Sequence, residues 1–135
     1  MAFTWSSSFE IGDKLIDNQH KELVNVTNEL LKACSQGQGQ KKLVETVKFL
    51  ADYAVKHFND EEKLQQSIKY PGYPEHKRLH DGFKTTVTDA LRQLETHGAN
   101  VMLVTKITTL VGNWLIGHMK NEDSKIGVHM RKIAG

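Results

Sequence analysis

Along most of this chain an apolar residue returns every third or fourth position, and the runs that do so are separated by short breaks of glycine, proline and polar residues. One run carries His20, Leu23, Thr27, Leu30 and Cys34; a second carries Val47, Leu50, Ala54, His57, Glu61, Leu64 and Ile68. A third carries His76, His80, Phe83, Val87, Ala90 and Leu94, and a fourth Val104, Ile107, Val111, Trp114 and His118. Steps of three and four keep side chains on one helical face, the seam that a bundle buries. None of the runs shows the alternation of a strand. The breaks are "SQGQGQ" at 35–40, "KYPGYP" at 69–74 and "HGAN" at 97–100, each with the glycine or proline that ends regular structure. The pattern therefore predicts helices over about 18–36, 41–68, 75–96 and 101–120. Before them lies an extended arm, 1–17, with Trp5 and Phe9 as anchors, and after them a short helical tail, 121–135. Short connections make successive helices antiparallel, so the expected fold is all-α: an up-down-up-down four-helix bundle forming a single domain over 1–135.

Composition narrows the possible partners. With 18 Lys and Arg against 16 Asp and Glu, the net charge is only +2, and the basic residues are scattered rather than massed as nucleic-acid binding would require. The opening "MAFTWSSSFEIG" lacks the cationic and apolar regions of a secretion signal, and no run approaches the length of a membrane span. A soluble, cytoplasmic protein is expected. Cys34 is the sole cysteine, which excludes an internal disulfide and leaves little room for thiolate metal binding. Any metal site has to be built from nitrogen and oxygen.

The seams carry that chemistry. His20, His57, Glu61, His76, His80 and His118 stand where an apolar residue would otherwise sit. In an up-down-up-down bundle, the start of the first helix, the end of the second, the start of the third and the end of the fourth share one end. All six residues fall there. Singly each is weak: a His-x-x-x-His pair is common on solvated faces, His57 and Glu61 could be a surface pair, and His20 could be an ordinary core or capping histidine. Together, five buried imidazoles and a carboxylate are costly unless a cation takes up their lone pairs. His97 and His129 fall outside the cluster and are expected to be exposed. The fourth helix offers a further acid. Asp123 follows His118 by five residues, about 140° off its face on an ideal helix, whereas Glu122 lies at the usual offset. Periodicity leaves both open; Asp123 would need a bulge or a helix end near Asn121.

The combination of Trp5, "GDKLIDNQH" (12–20), "HFNDE" (57–61), "YPEHKRLH" (73–80) and "WLIGHMKNED" (114–123) resembles the hemerythrins, most closely the bacterial hemerythrin-like proteins, over nearly the whole chain. The resemblance favours Asp123 over Glu122. It implies two iron ions with an oxo or hydroxo bridge, one held by His76, His80 and His118, the other by His20 and His57, with Glu61 and Asp123 bridging. Such a ligand set leaves one position open on the two-histidine iron, as binding a small exogenous ligand requires. The implied function is reversible O2 binding for carriage, storage or supply, not enzymatic catalysis. Di-iron enzymes on related bundles use more carboxylates and fewer histidines, and zinc's tetrahedral demand would be overfilled. Two other readings share the site: an O2-sensing module of a longer signalling protein, and a di-iron oxidoreductase acting on peroxide or NO. Leu23, Phe58, Trp114, Leu115 and Met119, each within a turn of a ligand position, are the candidate lining of an apolar oxygen pocket, with core packing the alternative role. No nucleic-acid or membrane partner is expected.

Overall fold

The runs stepping by threes and fours all form helices. The computed structural model describes residues 3–36, 40–98 and 100–134. It contains α1 (Lys14–Ser35), α2 (Gln40–Ser67), α3 (Tyr73–His97), α4 (Val101–His118) and α5 (Ser124–Ala134). A 3-10 turn at Ser7–Phe9 precedes α1, and a π-helical turn at Met119–Asp123 joins α4 to α5. No strand occurs among the described residues. α1 packs on α2 and α4, and α3 packs on the same two helices, which closes the ring of an antiparallel four-helix bundle. Of the expected loops, Gly37, Gln38, Gly39 and Ala99 lie outside the described residues. No helix among the described residues is long and apolar enough to cross a membrane.

The arm is shorter and more structured than expected. α1 starts at Lys14, not near residue 18, because the Asp13 carboxylate accepts a hydrogen bond from the Ile16 amide at 3.1 Å and caps the helix. One turn on, buried Asp17 accepts from the amides of Ile11 at 2.7 Å and Gly12 at 3.2 Å. Gly12 sits at φ 100°, a conformation glycine adopts without steric cost. The arm is therefore tied down along its length. Phe9 is buried with the Trp5 ring edge-on at 5.4 Å, and Asn28 bonds both the amide and the carbonyl of Phe3 at 2.7 Å. The Phe3 ring occupies the space that a side chain at position 112 would fill, and Gly112 leaves it open.

The seams are buried as expected on α1 and α3, with departures elsewhere. On α2, Leu64 and Ile68 are only half-buried, and Gln65 takes the inward position at full burial. On α4, Trp114 is half-buried. Leu64 and Ile68 instead cover a small second cluster of Ile11, Ile16 and Ile126, separate from the main core that runs through Leu30, Leu50, Phe83 and Ile107. Along α2, Ala54 belongs to the main core and Leu64 to the smaller cluster. His57 and Glu61 lie between these two apolar layers.

Candidate metal centre

Four helices and the π turn each deliver part of one polar cluster. His20 comes from α1, His57 and Glu61 from α2, His76 and His80 from α3, His118 from the last residue of α4, and Asp123 from the end of the π turn. The π turn decides which acid of this segment turns inward. Its extra residue rotates Asp123 to full burial, while Glu122 is left half-buried and pairs with Lys125 at 3.4 Å. All seven residues are buried, and their ligating atoms form two overlapping groups able to hold a metal ion. Glu61, His76, His80, His118 and Asp123 make one group; His20, His57, Glu61 and Asp123 make the other.

Both carboxylates straddle the two groups. Glu61 Oε1 is 2.7 Å from His76 Nε2 and 3.2 Å from His80 Nε2, while Oε2 is 3.3 Å from the Nε2 atoms of His20 and His57. Asp123 divides in the same way: Oδ1 lies 3.0 Å from His76 Nε2 and 3.2 Å from His118 Nε2, and Oδ2 lies 3.0 Å from His20 Nε2. The Nε2 atom of His118 is also 3.0 Å from that of His76 and 3.1 Å from that of His80. Three ring nitrogens so close cannot all carry protons without repulsion. Despite its close neighbours, neither oxygen of Asp123 accepts an aligned hydrogen bond among the described residues. Buried, unpaired acceptors beside converging imidazole lone pairs suit a multivalent cation, and they fit a pair of metal ions better than any protein donor present.

The charge balance of the cluster supports the same conclusion. Burial alone would drive His20 towards neutrality, but Asp123 and Glu61 outweigh it and push its pKa up to about 10. The same opposition raises His76 to about 9. His57 goes the other way, because burial outweighs Glu61 and lowers it. Burial opposes ionisation of Glu61, yet His20, His57, His76 and His80 hold its carboxyl well below the usual range. Asp123 is also held low by His118 and His20, against burial and the charge of Glu61. Without a metal the anionic pair is therefore balanced by protons on histidine. A bound cation would displace them.

An outer ring of hydrogen bonds fixes the rings, and sequence reasoning missed it. The Nδ1 atom of His20 faces the Phe9 carbonyl at 3.2 Å, that of His57 faces Gln19 Oε1 at 2.9 Å, and that of His80 faces Glu62 Oε2 at 2.8 Å. Gln19 in turn donates from Nε2 to Asp60 at 2.8 Å. The available signal was adjacency, since Gln19 and Glu62 each neighbour a seam residue; their partners on other helices are not visible from one helix alone. Aromatic rings brace the three-histidine group. Phe58 stacks on His80 at 4.0 Å, and Trp114 stacks on His118 at 4.4 Å. Leu23, Phe58, Leu115 and Met119 are buried and Trp114 half-buried, all of them packed in or against the main core.

A family described as the hemerythrin HHE cation binding domain matches residues 11–127. The chain belongs to the hemerythrin family. Myohemerythrin of Sipunculus nudus is 30% identical over 123 residues, spanning 91% of this chain and 89% of that protein. A bacteriohemerythrin of Pseudomonas aeruginosa strain LESB58 is 30% identical over 120 residues, or 89% of this chain and 76% of the relative. A crystal structure of wild-type hemerythrin superposes with a TM-score of 0.84 at 26% identity, covering 96% of this chain and 98% of the other. The polar cluster thus lies in a hemerythrin cation-binding domain, with every cluster residue inside the matched span.

Two histidines stay apart from the centre. His97 is exposed, as expected. His129 was expected to be exposed and is not: its Nε2 donates to the Ile68 carbonyl at 3.1 Å, and its ring lies 5.6 Å from Tyr70. The cause is α5, which continues from the π turn and places this residue beside the end of α2.

Proposed function

We propose that this hemerythrin is a cytoplasmic protein that binds O2 reversibly at a non-haem di-iron centre. His76, His80 and His118 would hold one iron, His20 and His57 the other, and Glu61 and Asp123 would touch both. The observation that carries this reading is the division of each carboxylate between the two histidine groups, one oxygen facing each. When bound, a pair of irons supplies reversible two-electron exchange with O2. The protein's own part is to hold and shield. Gln19, Glu62 and the Phe9 carbonyl fix the imidazoles so that their Nε2 atoms point inward. Leu23, Phe58, Trp114, Leu115 and Met119 make an apolar surround that excludes the water and protons that would carry reduced oxygen away. Phe58 and Trp114 also hold the rings of His80 and His118 in place. A set rich in neutral imidazole favours storing and returning charge over cleaving the O–O bond. The buried, unpaired thiol of Cys34 suits a reducing compartment.

The test is a cycle of spectra on iron-loaded protein, recorded after anaerobic reduction, after admission of O2 and after purging with argon. Reversible binding predicts absorption that appears on mixing, disappears on purging and returns over several cycles. Sustained O2 consumption in the presence of a reductant would overturn the carrier reading in favour of an oxidase.

A further inference from the structure

The outer hydrogen bonds are not equivalent on the two sides of the cluster. In the three-histidine group, His80 Nδ1 lies 2.8 Å from a carboxylate oxygen of Glu62, whose side chain is only 11% exposed. In the two-histidine group both Nδ1 acceptors are uncharged: the amide oxygen of Gln19 at 2.9 Å and the main-chain carbonyl of Phe9 at 3.2 Å. Behind Gln19, an acid, Asp60, is one amide removed from the ring. It accepts from Gln19 Nε2 at 2.8 Å, and this contact turns the Gln19 oxygen towards His57. The chain thus sets a full negative charge against one ring and an oriented dipole against the other.

We infer that Glu62 and Gln19 are positioning residues that grade the two metal positions, with Glu62 making the three-histidine position the tighter one. The inference rests on the proposed two-metal reading and extends it. The physical cause is the strength of the bond at Nδ1. A charge-assisted hydrogen bond is roughly twice as strong as a neutral one, and a carboxylate accepting from a ligating imidazole makes the opposite nitrogen a better donor to the metal. Burial strengthens the effect, because little water is present to screen it. Asp60 supplies orientation without charge transfer, since the Gln19 amide stands between it and the ring. The same arrangement predicts sequential filling: the first ion enters among His76, His80 and His118, and the second between His20 and His57.

Glu62→Gln is the informative variant, because it keeps an acceptor of the same shape and removes only the charge. Metal-free protein would be titrated with cobalt(II), whose absorption reports each site without redox chemistry, against a competing chelator. Wild-type protein should bind two ions in separable phases. Glu62→Gln should weaken the first phase by about 10–100-fold, the usual cost of altering such a partner, and leave the second within about twofold. Gln19→Leu should do the reverse. Proton NMR of the zinc-loaded protein gives an independent readout: one downfield Nδ1–H resonance should shift in Glu62→Gln and a different one in Gln19→Leu. Equal weakening of both phases by Glu62→Gln, or no weakening of either, would overturn the grading. Uptake of a single ion by wild-type protein would instead overturn the two-metal reading on which it rests.

Discussion

In the half of the bundle that holds Leu30, Leu50, Val87, Ala90 and Ile107, facing seams satisfy one another; the residual void among them is about 10 Å³ and entirely apolar in lining, room for one water-sized sphere. In the other half the same helical spacing presents His20, His57, Glu61, His76, His80 and His118, and the burial is as complete. The helical period decides which side chains turn inward in both halves. What differs is whether burial is sufficient in itself. Apolar side chains gain from leaving water whatever their neighbours. Buried acids and imidazoles gain only when each lone pair has a partner, and Asp123 accepts no aligned hydrogen bond among the described residues. The apolar half is a structural element complete without ligand, and the polar half is one that a cation completes.

That contrast breaks most visibly at Asp123. Iron at a free concentration about a thousand times its dissociation constant should stabilise the fold by about 4 kcal/mol, and Asp123→Ala should abolish that gain together with both irons. Calorimetry with and without iron, paired with metal analysis, checks it. In the apolar half, Leu50→Ala should cost about 3 kcal/mol through a lost side chain and a cavity, read by denaturant unfolding, while two irons per chain remain. Gln65 sharpens the comparison, since it is a polar residue in a seam position with no hydrogen bond to either amide atom among the described residues. Gln65→Met should stabilise the protein by about 1 kcal/mol, because an unpaired buried amide is replaced by an apolar group of similar size. Unchanged or lower stability would mean that an ordered water serves Gln65. Glu122→Ala should be the smallest, within about 0.5 kcal/mol, with iron content intact. His97→Ala, at an exposed position, should match it.

The four helices and the shared end of the six seam residues were legible in the sequence because both follow from period and short loops. Asp123 was legible only through resemblance to a family. A regular helix aims Glu122 inward, and the π turn that reverses the choice leaves no mark in the hydrophobic spacing. The start of α1 was misplaced for a local reason: the Asp13 cap and the Asp17 clasp on Ile11 and Gly12 are side-chain hydrogen bonds that carry no periodic signal. Gln65 displaced Leu64 and Ile68 from the seam because the arm, the first turn of α1 and α5 bring a second apolar cluster to that end of α2, and the Leu64 and Ile68 side chains turn towards it. The same approach of α5 to the end of α2 buries part of His129. For Gln65 and His129 the missing information was a contact between segments distant in sequence.

The most direct test is anomalous diffraction at the iron absorption edge from crystals of the iron-loaded protein. Two peaks of equal occupancy are expected, one among His76, His80 and His118 and one beside His20 and His57, with Glu61 and Asp123 each touching both. A single peak at full loading, or a pair that leaves Asp123 uncoordinated, would contradict the account.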